Sequence, residues 1–186
     1  MDRIILASAS PRRKQLLEWA EIPFDVLPSE ADEQVPDGLL TSEIPVFLAS
    51  QKAALVRKLA PENKIILAAD TIVVLDQQML GKPVDRRDAI RMLTLLSGRM
   101  HEVITGVSIT NGKKEILFSE TTRVRFHELT RAGIDHYVDV YKPYDKAGAY
   151  AIQEWIGVTG IHSIDGDFYN VMGLPVSRVI QELNIF

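Results

Sequence analysis

Cysteine is missing from all 186 residues. That excludes disulfides, thiolate metal sites and a cysteine nucleophile, and leaves nothing that calls for an oxidising compartment. Long apolar runs are missing too. Nothing approaches the ~20 residues of a membrane helix, and the apolar stretch at residues 4–7 is too short for the core of a secretory signal. The expectation is a soluble, cytoplasmic protein with no membrane partner. A basic excess is also lacking: 21 Lys and Arg stand against 25 Asp and Glu, for a net charge of -4. That balance argues against a general nucleic-acid binder. It leaves room for a small anionic ligand, because a few focused cations outweigh the global charge locally. There is no Walker-type loop and no Rossmann fingerprint. His127, His136 and His162 show no ligand spacing, so zinc is not expected.

What remains is an ordinary globular composition, 46% hydrophobic and 25% charged. The length suits one domain spanning residues 1–186, or two lobes sharing a core. Residues 3–8 read as a short strand, and Ser10-Pro11 opens a helix to about residue 20, with Ser as N-cap and Pro at the first helical position. A second strand at 24–27 leads into a long acidic loop, 29–38. Thr41 or Ser42 caps a helix to about 59. The apolar run 64–75 reads as a buried strand. A turn at 76–79 precedes a helix over 85–96. Asn111-Gly112 marks a hairpin between strands at 102–109 and 115–126. Thr130 caps a helix to about 140. Short strands are expected around Ile152 and Ile161, with a final helix from Pro175. Helices and strands alternate without strict βαβ regularity, which predicts a mixed-sheet α/β fold with two lobes and a cleft.

Several residues break local rules, and such breaks point to function. Arg12 and Arg13 sit in the first turn of a helix, where the macrodipole favours anions. With the Ser8 and Ser10 hydroxyls and free backbone N–H groups, they suit a polyphosphate. Asp70 lies inside an apolar strand, costly to bury unless paired, placed at the mouth of a cleft, or bound to a cation. Lys52 lies on the apolar side of its helix, where snorkelling to solvent is the alternative to ligand binding. Lys82, between Gly81 and Pro83, is either a phosphate-facing point charge or a plain turn lysine. Glu30, Asp32 and Glu33 supply hard oxygens suited to Mg²⁺ or Mn²⁺, or belong to a solvated loop. His101 alternates with Val103 and reads as a strand residue rather than a base.

The order of these segments is more specific than any one of them. Ser8-Ala9-Ser10-Pro11-Arg12-Arg13, Gln51-Lys52-Ala53, Ala69-Asp70-Thr71, Gly81-Lys82-Pro83, Ser97-Gly98-Arg99 with His101, and Val103-Ile104-Thr105-Gly106 together resemble the Maf family. The series continues through Asp145 to Tyr150 with Ile152-Gln153, then Gly166-Asp167, Asn170-Val171 and Gly173-Leu174-Pro175. The resemblance implies a nucleoside triphosphate pyrophosphatase that releases a nucleoside monophosphate and pyrophosphate with a divalent cation, Mg²⁺ or Mn²⁺. It implies an α/β fold with a two-lobed mixed β-sheet, flanking helices and a central cleft, similar to inosine triphosphate pyrophosphatases. Homodimers are common in the family. The family's proton acceptor falls on Asp70. Three positions that separate base preferences fall on Arg12, Thr71 and Gln153, and resemble the branch acting on dTTP and UTP rather than on 7-methyl-GTP. Gln153 would pair its amide with a pyrimidine O4 and N3–H edge. Modified pyrimidine triphosphates such as 5-methyl-UTP are further candidate substrates.

The working arrangement places the triphosphate on Ser8, Ser10, Arg12, Arg13, Lys52, Thr71 and Lys82, with Asp70 and Glu33 holding the metal. Lys142-Pro143 and Ala151 depart from the family's usual Glu-Pro and Gly. The rival expectation is a non-catalytic, nucleotide-binding regulator of cell division, since the family name comes from effects on septum formation.

Overall fold

A computed structural model describes residues 2–29, 34–36 and 38–186 of the chain. Strands β1 (Ile4–Leu6), β2 (Phe24–Val26), β3 (Ile66–Leu75), β4 (Gln78–Leu80), β5 (Met100–Thr110), β6 (Glu115–Phe126) and β7 (Ile161–Asp165) form one mixed sheet in the order β2-β1-β3-β5-β6-β7, with β4 paired to β3. β1 runs parallel to β2 and to β3, while β3–β4 and β6–β7 are antiparallel. The helices are α1 (Pro11–Trp19), α2 (Ile44–Arg57), α3 (Arg86–Leu96), α4 (Arg131–Tyr141), α5 (Trp155–Gly160), α6 (Phe168–Met172) and α7 (Val176–Leu183). The α/β mixed-sheet expectation holds. None of the described helices is long and apolar enough to cross a membrane.

Local chemistry explains several boundaries. α3 starts where the Asp85 carboxylate accepts from the Asp88 backbone N–H at 2.8 Å, and α4 where the Thr130 hydroxyl accepts from Gly133 N–H at 3.1 Å. Each satisfies a donor that a helix start leaves unpaired. The Asn111 side chain accepts from the N–H groups of Lys113 and Lys114, closing the β5–β6 hairpin.

Three expectations need correction, and two short helices go beyond them. Residues 76–79 are not merely a turn: Asp76 and Gln77 both take positive φ, 48° and 67°, and fold Gln78–Leu80 back on Val73–Leu75 as β4. Two positive φ values are what a two-residue hairpin requires, and glutamine gives no sign of them in sequence. The region of Ile152 is a buried turn, not a strand. α5 and α6, of six and five residues, are too short for periodicity to reveal. The helix expected from Thr41 or Ser42 begins at Ile44.

By contacts the chain divides into two compact units. The first holds residues 1–71, 105–120 and 173–186, and the second 72–104 and 121–172. In the first, Ala53 and Val56 of α2 pack on Ile5, Ala7, Ile66 and Ala68, so α2 covers one face of β1 and β3. In the second, Val103, Val124, Phe126, Tyr137 and Ile156 are buried, and His101 stacks on Phe126 with ring centroids 5.5 Å apart.

Candidate active site

The first unit gathers most of the residues that stand out in sequence. Along β3 the side chains of Ile66, Ala68 and Asp70 leave the same face, because successive strand residues alternate. α2 lies over that face, and its Lys52 Nζ meets Asp70 Oδ1 at 2.5 Å. The two side chains are only 12% and 13% exposed, so this is a largely desolvated ion pair. Of the possibilities open for Asp70 in sequence, it is paired. Lys52 does not snorkel away; it is spent on the carboxylate.

The approach of α2 depends on a residue outside the expected set. A Cβ at Gly106 would sit 2.1 Å from the backbone carbon of Pro45 and from the backbone nitrogen of Val46. No side chain fits there, so only glycine lets the start of α2 lie directly on β5.

Thr71 leaves β3 on the opposite face. There Arg13, from the first turn of α1, donates from Nε to the Gly173 carbonyl at 2.8 Å, from Nη1 to the Ser8 hydroxyl at 3.1 Å, and from Nη2 to the Thr71 hydroxyl at 3.0 Å. Thr71 is also hydrogen-bonded to the Thr105 hydroxyl at 2.9 Å. The Ser8 hydroxyl further accepts from Ser10 N–H at 3.2 Å. Ser10 is the N-cap residue of α1, yet its side chain makes no cap bond, and the first turn carries no acidic residue. The start of α1 thus keeps its favourable field for an anion. Arg12 is half-buried beside it.

The structure therefore joins Lys52 to Asp70, and Ser8 and Arg13 to Thr71, on two faces of one strand. Lys82 and Gln153 belong to the second unit, where both are exposed. The Gly81 carbonyl, next to Lys82, accepts from Gly148 N–H at 3.0 Å. Glu33, expected as a metal ligand, lies outside the described residues, as do Glu30 and Asp32. His101 is a buried β5 residue hydrogen-bonded to the Tyr150 hydroxyl at 2.7 Å. Burial pushes its imidazole down to about 4 and the Tyr150 hydroxyl up. Thr105, Gly106 and Gly173 lie in segments that carry the family resemblance, yet their structural roles do not show in the sequence. A threonine in a strand and a glycine before Leu-Pro are at home for bland reasons, so only spatial proximity reveals them.

Among the described residues no cluster of three or more His, Cys, Asp or Glu is arranged for a metal ion. Mg²⁺, however, is commonly held by one or two carboxylates together with substrate phosphates, and the partly accessible Asp70 carboxylate fits such a share.

A family model described as Maf-like protein matches residues 3–186. The chain is 52% identical over 180 residues to a Cytophaga hutchinsonii protein named dTTP/UTP pyrophosphatase, covering 97% of this chain and 82% of that protein. Relatives of the same name are 50% identical in Phocaeicola vulgatus, covering 97% and 94%, and 47% identical in Bacillus cytotoxicus, covering 100% and 96%. Two solved structures align less closely. A nucleoside-triphosphatase, or dITP/XTP pyrophosphatase, of Mycobacterium abscessus gives a TM-score of 0.40 at 12% identity, over 67% of this chain and 73% of that one. The Staphylococcus aureus Ham1 protein gives 0.43 at 16%, over 67% and 72%. The weight of comparison lies with the sequence relatives.

Proposed function

We propose that this chain, which belongs to the Maf-like protein family, hydrolyses nucleoside triphosphates to nucleoside monophosphate and pyrophosphate, with dTTP and UTP preferred. The observation that carries the chemistry is the Asp70–Lys52 pair, a carboxylate on the largely apolar β3 and an ammonium on α2 held 2.5 Å apart. Such a pair is an expensive way to fill a core and a useful one to manage water beside a polyanion.

In this proposal Asp70 orients the attacking water and accepts its proton as the α–β phosphoanhydride opens and pyrophosphate leaves. Lys52, ion-paired with Asp70, holds the carboxylate in place and adds its positive charge beside the phosphates. The backbone N–H groups at the start of α1, with Ser8, Ser10 and Arg12, take up phosphate oxygens. Arg13 holds Ser8 and Thr71 in place while adding its charge to the same region. Lys82 is a further cation in this reading, and Gln153 is the group that reads the base. Asp70 would help hold a divalent cation, Mg²⁺ or Mn²⁺, whose charge would offset that of the phosphates. Glu33 is the proposed second carboxylate for it. Most of the rate enhancement is asked of positioning and charge, as phosphoryl transfer requires.

The test is pyrophosphate release from a panel of triphosphates (dTTP, UTP, 5-methyl-UTP, dCTP and purines) with Mg²⁺, Mn²⁺ or chelator. Turnover favouring dTTP and UTP, abolished by chelator, is expected. Tight triphosphate binding with no pyrophosphate released under any metal would sink the enzyme and leave the nucleotide-binding regulator. A purine preference would overturn the base assignment and leave the reaction standing.

A further inference from the structure

Gln153 sits on the exposed crest of a turn, residues 151–154, closed by the Glu154 N–H donating to the Ala151 carbonyl at 3.1 Å. Both flanks of that turn are held from beneath by one group. Tyr137, on α4, is fully buried, and its hydroxyl accepts from the Ala151 N–H at 3.1 Å while donating to Glu154 Oε2. The other carboxylate oxygen of Glu154 faces Lys146 Nζ at 3.6 Å, and that ammonium, 10% exposed, is also bonded to Asp145 at 2.7 Å. From the far side α5 closes on the same backbone: a Cβ at Gly157 would lie 1.7 Å from the Ile152 carbonyl oxygen.

An exposed glutamine on an ordinary surface turn needs no such support. A buried phenol is tolerated only when its hydroxyl is satisfied, and here both its donor and its acceptor capacities go to residues flanking Gln153. Hydrogen bonds weaken steeply as they bend, so an amide that must select one base edge gains from a backbone that cannot drift. We propose that Tyr137 is a positioning residue for base selection, its hydroxyl pinning both ends of the turn that presents Gln153. This rests on Gln153 reading the base, as set out above.

Tyr137→Phe keeps the ring and removes the hydroxyl. Amide hydrogen exchange in residues 151–154 should then quicken at least about tenfold, because the hydroxyl's two hydrogen bonds, to the Ala151 N–H and to Glu154, are lost together. The ratio of kcat/KM for dTTP over dGTP should fall about tenfold, through a raised KM for dTTP rather than through kcat. Glu154→Gln, which still accepts from the phenol, should keep the ratio that Glu154→Ala loses, and this pair decides the matter if Tyr137→Phe does not fold. Should Gln153→Ala shift the ratio while Tyr137→Phe leaves exchange and ratio unchanged, the clamp is overturned alone. Should Gln153→Ala leave the ratio unchanged, the base reader and the clamp fall together.

Discussion

Asp70 and Thr71 are consecutive residues of β3 that serve two different neighbourhoods. On the α2 face, Asp70 is held by charge: a carboxylate meets a lysine at 2.5 Å in a largely desolvated setting. On the opposite face, Thr71 is held by a network in which Ser8, Arg13, Thr105 and the Gly173 carbonyl exchange hydrogen bonds. The first arrangement keeps a formal negative charge on β3 in contact with one cation. The second spends an arginine on three neutral oxygens and ties the start of α1 to β3 and to the turn at Gly173. Lys52 and Arg13 are equally good phosphate ligands by residue type, yet one faces a carboxylate and the other braces the backbone. Charge alone does not assign the role; the partner does.

The comparison breaks most visibly at Asp70. Asp70→Asn keeps the size of the side chain and an acceptor for Lys52, and loses the base. Pyrophosphate release should fall by about 10²–10⁴, the usual contribution of a positioned proton acceptor, while the circular dichroism spectrum stays that of the parent. An activity within a few-fold of the parent would remove Asp70 from the chemistry and leave a structural ion pair.

Lys52→Met tests the other half of the pair. It leaves the Asp70 carboxylate 13% exposed and without its ammonium, and stranding a buried charge costs about 3 kcal/mol. A urea titration should show that loss, and adding Asp70→Asn should restore most of it, since no charge is then left unpaired. An unchanged midpoint in Lys52→Met would mean that water already screens the pair.

Arg13→Lys keeps the positive charge and discards the planar fork. A lysine reaches one oxygen where the guanidinium reaches three, so about 2 kcal/mol of stability should be lost together with activity. If stability were intact and only the KM for triphosphate rose, Arg13 would be a phosphate ligand first and a brace second.

Much of what meets around β3 was legible in the sequence. The Asp in an apolar strand, the Ser-Pro-Arg-Arg helix start and the lysine on the apolar side of α2 each violate a local preference, and violations are visible in one dimension. The same holds for the Thr130 cap and the Asn111-Gly112 hairpin, where one residue's chemistry closes the structure within three positions. What stayed hidden depends on distance along the chain. Arg13 lies 160 residues from Gly173, and Lys52 18 from Asp70. No periodicity couples them. Gly106 signals nothing until α2 is laid on β5, and Tyr137 reads as a core aromatic until its hydroxyl is seen between Ala151 and Glu154. β4 stayed hidden because Gln77, an ordinary residue, carries the positive φ.

The smallest test is the sharpest about the second face. Thr71→Val replaces the hydroxyl by a methyl of the same shape, on a strand where valine is at home. Asp70 and Lys52, on the other face, keep their contact. Arg13 Nη2 and the Thr105 hydroxyl lose a shared partner, so a stability loss of about 1 kcal/mol is expected, read as a shift in the urea midpoint. Turnover at saturating dTTP should change little, because the Asp70 carboxylate and Lys52 are untouched. If kcat collapsed as it should in Asp70→Asn, Thr71 would belong with the reacting groups, and the division of β3 into a chemical face and a bracing face would be wrong.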